Sequence, residues 1–95
     1  MSLSVNSYFD DNVKSIAFES ANGPCTSGVM LPGEYVFSTS KDELMKVVEG
    51  ELVVKLPGAE EFLSFKTGSE FNVAANQSFD VKVSTTTAYL CFYRV

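Results

Sequence analysis

The sequence predicts an all-β domain, one small barrel or sandwich of about eight to ten short strands. Three observations carry this. Apolar residues alternate with polar ones in several separate runs, clearest in Phe79-Asp80-Val81-Lys82-Val83 and in Leu52, Val54 and Leu56. Turn formers recur between the runs at Pro32-Gly33, Glu49-Gly50, Pro57-Gly58 and Thr67-Gly68. No stretch carries a helical apolar period, and only Lys41 to Met45, KDELM, is a candidate helical turn.

Along the chain, Asn6 to Asn12, NSYFDDN, reads as a polar turn, within an N-terminal arm at about residues 1–12 that Tyr8-Phe9 can pin. Val13 to Ser20 is a first strand with Ile16 and Phe18 on one face. The turn-rich Ser20 to Ser27, SANGPCTS, is expected to be a loop, and Gly28 to Leu31 a short strand. The organising stretch is Gly33 to Leu52: a strand with Tyr35 and Phe37 on alternate positions, a hydroxyl-rich loop from Ser38, and a hairpin turn at Glu49-Gly50. Phe62 to Lys66, Phe71 to Val73, Phe79 to Val83 and the aromatic Tyr89 to Val95 complete the strands. No repeat, low-complexity segment or composition shift divides the chain, so residues 1–95 are expected to be one domain.

Composition excludes several functions. The formal charge of −5 comes with seven basic residues scattered along the chain, so nucleic-acid binding is not expected. No run is long and apolar enough for a membrane helix, and Met1 to Ser15 lacks the cationic and apolar regions of a leader; a cytosolic protein is expected. Cys25 and Cys91 lie outside any CxxC spacing and read as reduced thiols, Cys91 as a small core residue. The chain has no histidine, which removes imidazole as general base and as metal ligand.

The hairpin Val47-Val48-Glu49-Gly50-Glu51-Leu52 resembles the first motif of the cupin barrels, and Gly68 to Val83 can be laid on the second. The family's metal-binding positions fall near Phe37 and Thr39 and on Glu43 in the first motif and on Phe79 in the second, so only the glutamate is kept. The resemblance therefore implies a cupin barrel without its metal site. More specifically, the chain resembles the pyrimidine/purine nucleoside phosphorylases, small one-domain cupins. The likeness runs from Tyr8-Phe9 and Val13-Lys14-Ser15-Ile16 through Gly28-Val29-Met30, Gly33-Glu34-Tyr35, Phe37-Ser38-Thr39, Glu43, Gly50 and Leu56-Pro57 to Phe71-Asn72-Val73, Phe79 and Tyr89-Leu90-Cys91. It implies phosphorolysis of purine and pyrimidine nucleosides to a free base and α-D-ribose 1-phosphate, with inorganic phosphate as co-substrate, no other cofactor, a cytosolic location and a homodimer.

Candidate residues follow from what phosphorolysis needs: phosphate held near C1′, fixed ribose hydroxyls and help for the departing base. Ser38, Thr39, Ser40 and Lys41 offer hydroxyls and an ammonium for phosphate, and Arg94 is the one guanidinium able to clamp it. Glu43 and Glu34 are candidates for the ribose hydroxyls, Glu43 ranking first because the motif alignment points it inward. Tyr35, Phe37, Phe79, Tyr89 and Tyr93 can stack on a base, and Asn72 or Asn76 can bond its edge. Glu43 and Tyr35 are the expected catalytic pair. Two rival functions use the same barrel: a non-catalytic small-ligand sensor, and a metal cupin with carboxylate ligands from Glu34, Glu43 and Glu70.

Overall fold

The structure, a computed structural model, describes residues 3–94. The first two residues of the expected arm and Val95 of the expected last strand lie outside them. Ten antiparallel strands form two facing sheets, and no helix occurs among the described residues. The strands are β1 Ser4–Tyr8, β2 Val13–Ser20, β3 Gly23–Met30, β4 Gly33–Ser38, β5 Asp42–Glu49, β6 Glu51–Lys55, β7 Leu63–Lys66, β8 Glu70–Val73, β9 Ser78–Val83 and β10 Thr87–Arg94. One sheet has the order β1-β2-β3-β10-β5-β8 and the other β4-β9-β6-β7, the arrangement of a cupin rather than of one continuously hydrogen-bonded barrel.

Three local expectations are overturned. The polar arm contains β1, which pairs with β2 from Ser4↔Ala17 to Tyr8↔Val13. An edge strand needs only a backbone ladder on one side, so its exposed polar side chains gave no period-two signal. The turn-rich SANGPCTS is mostly strand: only Ala21-Asn22 turn, helped by Gly23 at φ 103, and β3 then starts. Pro24 is tolerated because β10 joins β3 only from Cys25, leaving the proline without a ladder on that side. KDELM is not a helical turn either. Asp42 opens β5, and the alternation Glu43, Met45, Val47 points inward against β10.

The core is drawn from both sheets. Val13, Met30, Met45, Val47 and Val73 meet Tyr35, Leu52, Val54, Val81 and Val83. Leu52 and Val54 are fully buried, each such side chain contributing roughly 1.5–3 kcal/mol. β10 lies in the middle of the larger sheet, between β3 and β5.

The hairpin at Gly50 is tied across the molecule. The Glu51 amide donates to Thr87 Oγ1 at 3.1 Å, and the Thr87 hydroxyl donates to the Thr85 carbonyl at 2.8 Å. Gly50 has φ 114, and a Cβ there would collide with the Thr87 hydroxyl and lie 3.0 Å from its Cα. Gly50→Ala is therefore expected to cost at least about 2 kcal/mol in urea unfolding, from backbone strain and lost packing together; an unchanged midpoint would show that the turn relaxes freely.

Candidate functional site

Between the sheets, at the end nearest the β4–β5 turn, lies a cavity of about 440 Å³. That falls within the roughly 300–1,000 Å³ common for small-molecule sites. One wall comes from the larger sheet: Ser15 on β2, Thr26 and Met30 on β3, Glu43 and Met45 on β5, and Tyr89, Cys91 and Tyr93 on β10. The opposite wall is Phe37 and Ser38 on β4 with Phe79 on β9, and Tyr8 and Phe9 close the rim.

Register explains why the polar groups converge. On β10, Tyr89, Cys91 and Tyr93 point inward on alternate positions, with Tyr93 opposite Glu43 and Cys91 opposite Met45 on β5. Cys91 is in turn opposite Thr26 on β3, and Tyr89 opposite Gly28. Gly28 is required for contact reasons, since a Cβ there would stand 2.5 Å from the Tyr89 ring. On β2 the inward residues are Val13 and Ser15, while Ile16 is 42% exposed on the outer face.

The rim is strained. Phe9, Asp10 and Asp11 all have positive φ, at 52°, 55° and 68°. Left-handed conformation costs non-glycine residues roughly 1–2 kcal/mol each. The Asn12 amide closes the turn on the Phe9 carbonyl at 3.1 Å, and the Leu31 amide donates to the Asn12 carbonyl at 2.8 Å. The result carries the Phe9 ring back over the sheet, 4.9 Å from Tyr35 and 5.4 Å from Phe37. Phe37 in turn stacks on Phe79 at 5.7 Å, so one side of the cavity is a continuous aromatic surface.

The other side is polar and holds a single charge. Glu43 is half-buried, and burial raises its carboxyl above the usual carboxylate range against the opposing hydrogen bond from Cys91. That thiol donates to Glu43 Oε1 at 3.4 Å. Cys91 itself is pushed well above the ordinary thiol range, first by burial and then by the Glu43 carboxylate. Burial lifts Tyr93 too, while the Thr26 hydroxyl, 3.3 Å from the Tyr93 oxygen, pulls the other way. Tyr89 is pushed up to about 12, mainly by burial. At neutral pH the cavity thus presents protonated tyrosines, a protonated thiol and the hydroxyls of Ser15, Thr26 and Ser38, around one carboxyl.

Six of the residues singled out in the sequence line this cavity: Glu43, Phe37, Ser38, Phe79, Tyr89 and Tyr93. The rest lie elsewhere. Tyr35 is buried beneath Phe9, its hydroxyl donating to the Leu31 carbonyl at 2.5 Å. Thr39 is buried with its hydroxyl bonded to the Ala74 carbonyl at 2.7 Å, where it braces the turn holding Asn76 at φ 60. Ser40 and Lys41 are exposed in the turn after Ser38, and Asn72 and Arg94 are exposed outside the cavity lining. Glu34 lies in a shallow groove with Lys82, opposite it on β9. Ser15, Thr26, Tyr8 and Cys91 were not singled out as site residues. The available signal was the polar Ser15 between Val13 and the outward Ile16, a strand whose apolar side faces away from the cavity.

A folded-state carboxyl held above its unfolded value binds extra protons in the native state. Its contribution is therefore present below the unfolded value, about 4.3, and is lost as pH rises through the folded one. Glu43→Gln cannot ionise, so the melting temperature of the parent should fall relative to this variant as pH rises from about 4.3 through the raised folded value. Parallel curves over that range would show that Glu43 is as solvated in the native chain as in the unfolded one.

The sequence and fold agree with known proteins. The pyrimidine/purine nucleoside phosphorylase family model matches residues 3–93. A protein named pyrimidine/purine nucleoside phosphorylase from Pseudomonas putida (strain W619) is 59% identical over 90 residues, 95% of this chain and 96% of that protein. A crystal structure of a protein of unknown function from Vibrio parahaemolyticus superposes with a TM-score of 0.92 at 45% identity, covering 96% of this chain and 97% of that one. An RmlC-like cupin from Shewanella frigidimarina NCIMB 400 shares the fold with a TM-score of 0.70 at 17% identity, covering 96% of this chain and 91% of that one. With a family match over nearly its whole length and relatives this similar, the chain belongs to the pyrimidine/purine nucleoside phosphorylase family.

Proposed function

We propose that this protein is a nucleoside phosphorylase, a pentosyl-transferring enzyme that cleaves purine and pyrimidine nucleosides with inorganic phosphate to give the free base and α-D-ribose 1-phosphate. The carrying observation is the cavity's two-sided chemistry, an aromatic wall facing one carboxyl and a set of hydroxyls, in a chain of this family. The relatives' name supports the substrates.

The base rests on Phe37 and Phe79 with Phe9 at its edge. Ring faces accept purines and pyrimidines alike, which supports broad base tolerance. Glu43 faces the ribose, where its carboxylate accepts hydroxyl hydrogen bonds and favours the positive charge that grows on the sugar as the C1′–N bond breaks. A phosphate oxygen forms the new bond to C1′, and the electron pair of the broken bond leaves with the base. Tyr89 and Tyr93, kept protonated by burial, donate hydrogen bonds toward the leaving group. The reaction is read as metal-independent, because the chain has no histidine and the cavity offers only one carboxylate and one thiol, too small a donor set for a transition metal. A cytosolic homodimer fits the free thiols and the outward face of the larger sheet, where Val5, Ile16 and Val29 are 72%, 42% and 44% exposed.

Uridine, inosine and adenosine should each yield ribose 1-phosphate only when phosphate is present; no product from protein purified free of other phosphorylases would overturn the reading. Glu43→Gln should lower kcat by at least about tenfold. Lys41→Ala should raise the phosphate KM no more than about threefold at physiological salt, because an exposed charge outside the cavity lining is well screened. A larger effect would place the ammonium on the bound phosphate.

A further inference from the structure

The cavity poses an electrostatic problem that its own residues do not solve. In the proposed phosphorolysis the phosphate attacks C1′ of the ribose that Glu43 faces and so comes beside that carboxyl, yet no lysine or arginine is among the fourteen lining residues. Cys91 and Tyr93 face Glu43 from β10, Thr26 lies behind them on β3, Met45 is its neighbour on β5, and Phe37, Ser38 and Phe79 close the site from the other sheet. None of these is a cation. Two negative groups in contact, with neutral donors around them and low-dielectric aromatic rings opposite, repel strongly unless a proton stands between them.

We propose that the site binds its oxyanion with one proton shared between the anion and the Glu43 carboxyl, so that hydrogen phosphate is accepted and the isosteric dianion sulfate is refused. This rests on the phosphorolysis reading and adds the ionic form of the co-substrate to it. Hydrogen phosphate and sulfate have the same charge and nearly the same shape at mildly alkaline pH, and differ in one P–OH proton. With phosphate, that P–OH donates to the Glu43 carboxylate. One Glu43 oxygen already accepts the weak Cys91 thiol donor, which leaves acceptor sites on the carboxylate for the anion. The remaining phosphate oxygens take the neutral hydroxyl donors of Ser15, Thr26 and Ser38. Sulfate brings no proton, so it binds only when the carboxyl has taken one from solution. Sites built around a hydrogen bond reject analogues that lack the partner, because the buried group is left unpaired.

The test uses inorganic phosphate and sodium sulfate with the native enzyme at matched ionic strength. At pH of about 8 sulfate should bind on the order of 10- to 100-fold more weakly than phosphate, read as its inhibition constant against the phosphate KM. At pH of about 5 the gap should narrow by roughly tenfold, as the carboxyl supplies the proton. Glu43→Gln, whose amide can donate to either anion, should bring the two within about threefold of each other at the higher pH. Since that variant turns over slowly, its binding is read from the rise in melting temperature with each salt, which also reports that it is folded. Sulfate matching phosphate in the native enzyme at the higher pH would overturn the inference while leaving phosphorolysis intact. So would discrimination that Glu43→Gln leaves unchanged. Absence of phosphate-dependent turnover in the native enzyme would instead remove the phosphorolysis reading, and this inference with it.

Discussion

The pairing of β10 between β3 and β5 is the constraint from which the rest of the molecule follows. A central strand must satisfy a ladder on both sides, which leaves it two faces to distribute. β10 gives its outer face to Ala88, Leu90 and Phe92, and its inner face to Thr87, Tyr89, Cys91 and Tyr93. Thr87 locks the Gly50 hairpin at one end, while the next three line the cavity at the other. The same strand therefore ties down the fold and presents the polar wall. A one-residue slip of its register would exchange the two faces, losing hairpin tie and cavity together.

On that wall, Glu43 is the point where stability and chemistry oppose each other. Burying a carboxyl raises its proton affinity and costs stability once it ionises, and among the described residues its hydrogen-bond donor in return is the Cys91 thiol. Three left-handed residues at the rim add further strain, held by the Asn12 and Leu31 amides so that Phe9 reaches the aromatic wall. Both costs fall on the cavity, and neither improves the core. A chain without histidine has few ways to handle protons, and in the proposed reaction a desolvated carboxyl among tyrosine hydroxyls takes that part.

How far this was legible in the sequence depended on which physical signal each element carries. Strands with one apolar face inward, such as Phe79 to Val83 and Leu52 to Lys55, announce themselves by alternation, and the turns at Gly50 and Gly68 by their residue types. β1 and the start of β3 did not, because an edge ladder and a proline beyond its neighbour's reach are matters of pairing, which no local pattern records. Glu43 was readable through the motif alignment that points it inward, and β5 places it on the same face as Met45 and Val47. The hydroxyls of Ser15 and Thr26 were hidden, since β2 turns Ile16 outward and polar Ser15 inward, the reverse of the usual assignment. Thr39 and Tyr35 looked reactive by type, but each spends its hydroxyl on a backbone carbonyl, a fact of tertiary structure alone. Lys41 and Arg94 attracted a phosphate role by charge, whereas the cavity that formed has no cation in its lining.

The central claim is that phosphorolysis takes place in the cavity between the sheets. A crystal structure of the protein with ribose 1-phosphate and a free base bound tests it most directly. The account predicts the base against Phe37 and Phe79, with the sugar phosphate within hydrogen-bond distance of Glu43 and the Ser15 and Thr26 hydroxyls. Density for the products in the shallow groove between Glu34 and Lys82 instead, with the inner cavity unchanged, would contradict it.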